Sequence, residues 1–369
     1  MSGVLVLAAM RGTVVDRGCG AGEPGRVLAT LAAMPAPGPT VLHVNDCAST
    51  TERLLAEAAT RGLPWSYQPL LDRRYPFARG SRPLTAALAL PWLAELGWRA
   101  RRADLLHVHY GNVVRHTRWT RRPYVLHLHG TDIRTQQYEP RWQDVIRSAV
   151  RDARAVYYST PDLAEHVLPL RADARYLPVP LRLEGLPRWE PAERPRVVFA
   201  SRWEEVKGLE VQLEVARGLR AAAGPDVELV GLDWGPGSAA AREAGVRLLP
   251  RMPHPEYLRL LASAHVAVGQ AAGILATSEL EAMAMGVPVV ARLEPRWHPG
   301  GVPAVLPALP AGDGASPATA SEMVDAAVAA LADPAGTSTA LEGPAWVRRE
   351  HSAAGAVDEL TARYAELAG

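Results

Sequence analysis

Short apolar runs alternate with helical segments twice along this chain, and no other feature constrains the fold as much. The first series has strand-like runs at 40–44, 105–108, 124–128, 155–158 and 175–177. The second has them at 197–200, 227–231, 246–249, 266–268 and 288–290. Helical segments lie between them, among them Ser49–Arg61 (ended by Gly62), Leu209–Ala222, Pro255–Ala262 and Ser278–Met285. Ser49 or Thr50 is placed to cap the first of these, with Glu52 in its first turn. Strands that are apolar throughout and separated by helices belong in parallel sheets covered on both faces. Between the two series, Pro180 to Arg196 is rich in Pro, Arg and Glu and reads as a linker. The expected fold is therefore α/β, with two doubly wound Rossmann-like domains and a ligand cleft between the carboxyl ends of their strands. Residues 1–40 read as an N-terminal extension, 41–180 as the first domain and 181–196 as the linker. Residues 197–350 read as the second domain and 351–369 as a closing helix.

A length of 369 residues suits two domains of ordinary size. No stretch approaches the roughly 20 apolar residues that span a bilayer. Met1–Met10 lacks the basic start of a secretory signal. Two cysteines, Cys19 and Cys47, form neither a disulfide framework nor a zinc cluster. A reduced, cytoplasmic protein is the expectation. The net charge of +1 hides an asymmetry: residues 1–180 hold 23 Arg against 15 acids, and the remainder is acidic. Between Arg73 and Arg122 stand 11 Arg and only two acids, a patch that either attracts anions or is simply solvated. Against 39 arginines there is a single lysine, Lys207, which suggests a site where a compact ammonium is needed.

Three segments carry chemistry. Ser278-Glu-Leu-Glu-Ala-Met-Ala-Met-Gly-Val-Pro-Val-Val290 reads as a helix capped by Ser278, closed at Gly286 and passing straight into a buried strand. It follows a loop of small residues, Gly269–Thr277, so its N-terminus can present N–H groups to phosphate oxygens. Glu281, one turn in, can accept hydrogen bonds from ribose hydroxyls. The second segment is Ala200-Ser-Arg-Trp-Glu-Glu-Val-Lys-Gly208, where Arg202 and Lys207 follow a strand and precede a glycine that opens a helix. Fixed cations there can stabilise a departing nucleoside diphosphate. In the third, Val125-Leu-His-Leu-His-Gly-Thr-Asp-Ile-Arg134, a strand ends on His129, with Asp132 and Arg134 just beyond. Leu105-Leu-His-Val-His-Tyr-Gly111 ends similarly on His109. His-x-His pairs also occur in metal hydrolases, but that chemistry would require the two pairs to meet across neighbouring strands. His107 and His127, deeper in their strands, read as satisfied core residues. Gly235-x-Gly237-x-x-Ala240 is a loose dinucleotide fingerprint with no strand-terminal acid at the expected distance.

The segment 278–290 resembles the donor-site signature of the family 4 glycosyltransferases, which have the GT-B fold. That signature has a Glu, seven residues, a second Glu, Ala-Met-Ala, a variable residue, Gly and Pro-Val-Val. Glu281 matches the second Glu, which the resemblance assigns to the ribose. The first, a donor-sugar contact in that family, falls on Gly273, and Gln270 nearby is the candidate replacement. The resemblance extends over most of residues 40–365. It implies Arg202 and Lys207 on the diphosphate, His129 beside the donor sugar, Ser278 at the phosphates and Met252 near the base. Asn45, Ser49, His109, Asp132 and Arg134 become acceptor-side candidates on the first domain. It further implies retaining transfer from a nucleotide sugar to an acceptor hydroxyl, with no cofactor and no metal ligands. In that family the last helix crosses back to the first domain. The Glu-to-Gly departure leaves open an inactive nucleotide-sugar binder, and the histidine pairs leave open a metal hydrolase.

Neither nucleic acid nor a spanning segment is expected among the partners. The segment Pro83–Trp98 is apolar, with Trp92 and Trp98, and is bordered by Arg79, Arg82, Arg99, Arg101 and Arg102. It is either a helix buried on the first domain, interrupted at Pro91, or a peripheral membrane contact serving a lipid-linked acceptor in place of a small molecule.

Overall fold

The computed structural model describes residues 38–74, 82–298, 303–309 and 315–369. The expected extension therefore lies, up to residue 37, outside the described residues, as does Arg79. Eleven strands form two sheets, and every pairing between them is parallel. The first sheet has the order β2-β1-β3-β4-β5-β6, from β1 (Val41–Val44), β2 (Trp65–Gln68), β3 (Leu105–His109), β4 (Tyr124–Leu128), β5 (Ala155–Tyr158) and β6 (Arg175–Tyr176). The second has the order β11-β10-β7-β8-β9, from β7 (Arg196–Phe199), β8 (Glu228–Leu232), β9 (Arg247–Leu249), β10 (Val266–Val268) and β11 (Val289–Val290). In each, the order reverses beside a central strand, which opens a crevice at the carboxyl ends.

Helices cover both faces, as runs buried on two sides require. In the first half, Val41, Leu105, Val125 and Tyr157 face α1 (Thr50–Thr60) and the closing helix. Leu42, Leu106, Leu126 and Val156 face the opposite layer, which holds α2 (Arg82–Arg102) and α3 (Gln143–Asp152). The second half repeats the plan with α4 (Leu209–Ala223), α5 (His254–Ala262), α6 (Thr277–Met285), α7 (Ala320–Ala332) and α8 (Gly343–His351). The chain passes between the halves at Leu181 and again at His351–Ala353. The two passes are joined by Leu181 N to His351 O at 2.7 Å and Ala353 N to Leu181 O at 2.8 Å. The closing helix, α9 (Ala353–Ala368), then lies on the first sheet. There Glu359 accepts from the Tyr157 hydroxyl at 2.9 Å, and the Tyr364 hydroxyl meets His107 Nδ1.

Several local expectations need correction. β2 is absent from the expected strands, because Trp-Ser-Tyr-Gln has no apolar run, although Gly62, Pro64 and Pro69 border it. Ser49 does not cap α1: its φ is 58°, and the Asp46 carboxylate takes the Thr51 N–H instead, at 2.8 Å. Ser278 is not a cap either, since α6 starts at Thr277 and Ala276 is the cap position. Glu279 does that work from inside the helix, accepting from Ala276 N at 2.7 Å. Pro91 does not interrupt α2, which runs through it. Pro91 lies on the exposed side, where solvent serves the carbonyl it leaves unpaired.

Candidate active site

A cleft of about 890 Å³ opens between the two sheets and is lined from both. Ser49 and Arg53 of α1 contribute from the first half. Arg202, Lys207, Trp234, Met252, His254, Ser278 and Glu281 contribute from the second. Lys207 ends a single 3-10 turn after β7. Gly208 follows with φ +73°, and a Cβ there would lie 2.7 Å from the Ala271 carbonyl oxygen, so the turn can press against the 269–277 loop only with glycine. That approach brings Lys207 Nζ to 2.8 Å from Gln270 Oε1. Burial pushes the ammonium below its ordinary range; Glu279 acts against this, and the Arg202 and Arg134 charges add to it. Gln270 is held in turn, its side-chain amide on Ile274 O at 2.8 Å and its N–H on Glu279 at 2.6 Å. Glu279 is fully buried, which favours its neutral form; its backbone hydrogen bonds and Lys207 oppose that.

The first intrahelical bond of α6 is Leu280 N to Ala276 O, so the Thr277 and Ser278 N–H groups have no helical acceptor, and both residues line the cleft. Arg202 pairs with Glu204 at 3.2 Å and, like Arg251, stacks on Trp234. Further along α6, Glu281 is almost fully buried and accepts from Arg53 at 2.9 Å and from His254 at 3.0 Å. Arg53, His254, Trp234 and Glu279 all went unnoticed in the sequence. Only Glu279 had a local signal, a carboxylate three residues past the cap.

The other candidates lie apart from this cleft lining. Asn45 donates to His109 O at 3.0 Å, and His109 is wholly buried. Asp132 is buried and receives the N–H groups of Gly111, Gly130 and Ile133 at 2.9–3.0 Å, so it fastens the ends of β3 and β4 together. Arg134 pairs with Asp162, close enough to the cleft for its charge to bear on Lys207. His129 follows β4 and is partly buried, and burial pushes its ring down to about 3, which favours the neutral form. The histidine pairs do meet across β3 and β4, with His109 Nδ1 at 3.0 Å from His129 Nε2. His107 and His127 are buried as expected but not satisfied: His107 Nε2 and both ring nitrogens of His127 have no partner. Asp132 spends its oxygens on backbone N–H groups, which leaves no carboxylate base of the kind a metal hydrolase needs at this point.

At Gly273, where the resemblance leads one to expect a Glu, the backbone and its neighbours favour glycine. Gly273 has φ +82°, exchanges backbone hydrogen bonds with Arg292 and Glu294, and packs under the ring of Trp297. A Cβ at this position would fall on that ring and lie 2.9 Å from Glu294 Cβ. The Gly235 turn is likewise built for packing, against the Trp203 backbone, and opens only a six-residue helix.

Residues 194–333 match the family model described as Glycosyl transferases group 1. No curated protein matches the chain in sequence. Among solved structures, a sucrose-phosphate synthase from Thermosynechococcus elongatus superposes with a TM-score of 0.64 at 16% identity, covering 89% of this chain and 99% of that one. The HepE protein of Anabaena, solved with UDP and glucose, gives 0.61 at 15% identity, over 89% and 100%. A glycosyltransferase from Rickettsia africae gives 0.61 at 12%, over 89% and 98%. These likenesses carry the architecture, two parallel-stranded α/β domains of the GT-B type. Within that fold, residues 194–333 form the segment that matches the Glycosyl transferases group 1 model.

Proposed function

We propose that the chain moves a sugar from a nucleoside-diphosphate sugar to an acceptor hydroxyl with retention at the anomeric carbon, and that the diphosphate is held without a divalent ion. The observation that carries this reading is the sole lysine, Lys207, held by Gln270 in a cleft it shares with Arg202 and the open start of α6. When the bond from the anomeric carbon to the phosphate oxygen breaks, charge grows on the diphosphate, where these groups can meet it. The acceptor oxygen takes the vacated face, and its proton passes to the departing phosphate oxygen. The role this reading gives His129, at the end of β4 and outside the cleft lining, is to stand beside the sugar once donor is bound. Glu281 takes the ribose once the nucleotide displaces Arg53 or shares the carboxylate with it. HepE, solved with UDP and glucose, gives this donor class a precedent on the same fold.

The acceptor belongs to the first domain. Along α2, Trp92 is 2% exposed and donates to Pro69 O at 2.8 Å, so this face is core. The other face shows Leu90 at 74% and Trp98 at 55% exposure, with Arg102 stacked on Trp98 at 3.9 Å. Apolar side chains rimmed by arginines suit a peripheral membrane contact and a lipid-linked acceptor. No described helix is long and apolar enough to cross a membrane. A second reading, a binder that has lost transfer, draws on Gly273 and the Trp297 ring that covers it.

Thermal stabilisation by a panel of nucleoside diphosphates and their sugars tests the donor assignment, because a ligand of the folded state raises its melting temperature. At least one nucleoside diphosphate should stabilise the wild type and lose that effect in Lys207→Ala. Stabilisation by none of them, or an undiminished shift in the variant, would overturn the reading. A binder without transfer would show the shift and release no nucleoside diphosphate in the presence of acceptors.

A further inference from the structure

Five histidines share one face of the first sheet. His43 stands on β1, His107 and His109 on β3, and His127 and His129 at the end of β4. The parallel register sets His43 beside His107 and His109 beside His127. Their rings pack edge to edge and face to face, with centroids 4.3 Å apart for His107 and His109, 4.2 Å for His127 and His129, and 5.3 Å for His109 and His129. Such a cluster is costly unless something satisfies it. A buried polar group without a partner loses the full benefit of hydration. Yet His43 Nε2, His107 Nε2 and both nitrogens of His127 lack partners, and the transfer reaction uses none of them.

We propose that His109, His127 and His129 form a binding site for a divalent transition-metal ion of the zinc class, separate from the diphosphate grip. One ligand atom from each of the three lies within 4.8 Å of the others. His109 Nδ1 and His129 Nε2, 3.0 Å apart, are already close to the ~3.3 Å edge of a tetrahedron with zinc–nitrogen bonds of about 2.0–2.1 Å. His127 supplies the third donor from a ring that has no other use. All-imidazole sets suit zinc, copper and nickel and not magnesium or calcium. The shell behind the ligands is in place. With Nδ1 on the ion, His109 carries its proton on Nε2 and donates it to His43 Nδ1, 3.1 Å away. Asp132, which takes the His129 backbone N–H at 3.2 Å, sets a carboxyl group beside the site. The deeper trio, His43, His107 and His109, has equally close atoms but no exposed member. His129 is only partly buried, so this trio, unlike the deeper one, has a member within reach of solvent.

Cobalt(II) added to the full chain tests the site by its spectrum, independently of transfer. The wild type should take up one Co²⁺ per chain with the intense visible bands of a tetrahedral site, and Zn²⁺ should displace it. His127→Ala and His129→Ala should each weaken uptake at least tenfold, while His166→Ala, on a half-buried imidazole that bonds Tyr138 elsewhere in the same domain, should leave it unchanged. His129→Ala changes a partly exposed residue, so it reports even if the core variant folds poorly. Absence of the bands in the wild type, or their persistence at full strength in His129→Ala, would overturn the proposal.

Discussion

Lys207 shows how much one side chain can carry when its surroundings are built for it. Its ammonium is half-buried, held by a glutamine that is itself held twice, and depressed in pKa by that burial. Lys207→Ala should lower kcat by about 10²–10³, the usual cost of losing a donor to developing charge. Lys207→Arg should also fall well below wild type, because a planar fork does not fit a pocket shaped for a point donor. Steady-state kinetics of both variants check this, and unchanged values in both would remove Lys207 from the site. Glu281 and His129 should separate in the same assay. Glu281→Ala loses a contact remote from the reacting bond and should raise donor KM about tenfold. His129→Ala loses a group beside that bond and should act mainly on kcat. If neither variant alters these constants, both residues are structural.

Elements decide what those residues can reach. The loop from β10 to α6 is shaped by Gly273, whose left-handed φ and contact with Trp297 exclude any side chain. Restoring the signature with Gly273→Glu should cost about 2–4 kcal/mol, combining backbone strain with overpacking. Pairing it with Trp297→Ala should recover part of that loss, as measured by urea denaturation; full stability in the single variant would show that the loop adapts. For α2, the exposed Leu90, Trp98, Arg101 and Arg102 predict sedimentation with anionic vesicles at low salt, abolished as salt screens the arginines. Arg101→Ser with Arg102→Ser should weaken it and leave folding intact. Arg99 is unsuitable for this test because it ties Glu95 and the Tyr67 carbonyl, each within 3.1 Å. A protein that stays in the supernatant at low salt would mark the acceptor as a soluble molecule.

At the scale of the whole molecule, the two halves meet at a pair of chain crossings beside His351. Its ring packs on Trp346, its Nδ1 donates to Val179 O at 3.0 Å, and burial pushes it down to about 4. The folded value lies below the unfolded one of about 6.5, so the unfolded chain binds the proton first. Its contribution is complete above pH 6.5 and is lost as pH falls toward 4. Between pH 6 and 5 this one group should cost about 1 kcal/mol. His351→Gln should therefore show a smaller loss over that interval in urea titrations. An identical pH dependence in both proteins would place the acid sensitivity elsewhere.

Periodicity made the two sheets legible from the sequence, because a strand buried on both faces must be apolar along its whole length. Seven of the later elements followed in the same way, and α6 was located through its junction with β11. The amphipathic edge strand β2 escaped, since its four residues carry no such run. Lys207 stood out by composition alone, and Glu281 by its place in a helix that resembles a known signature. What tertiary structure alone decided are the pairings between distant residues: Arg53 on Glu281, Tyr364 on His107, and five histidines from three strands on one face. A strand's own sequence says which residues share a face, but not which strand will lie beside it or which helix will cover it. Those choices come from the burial of the whole chain, and they turned two separate His-x-His pairs into one cluster.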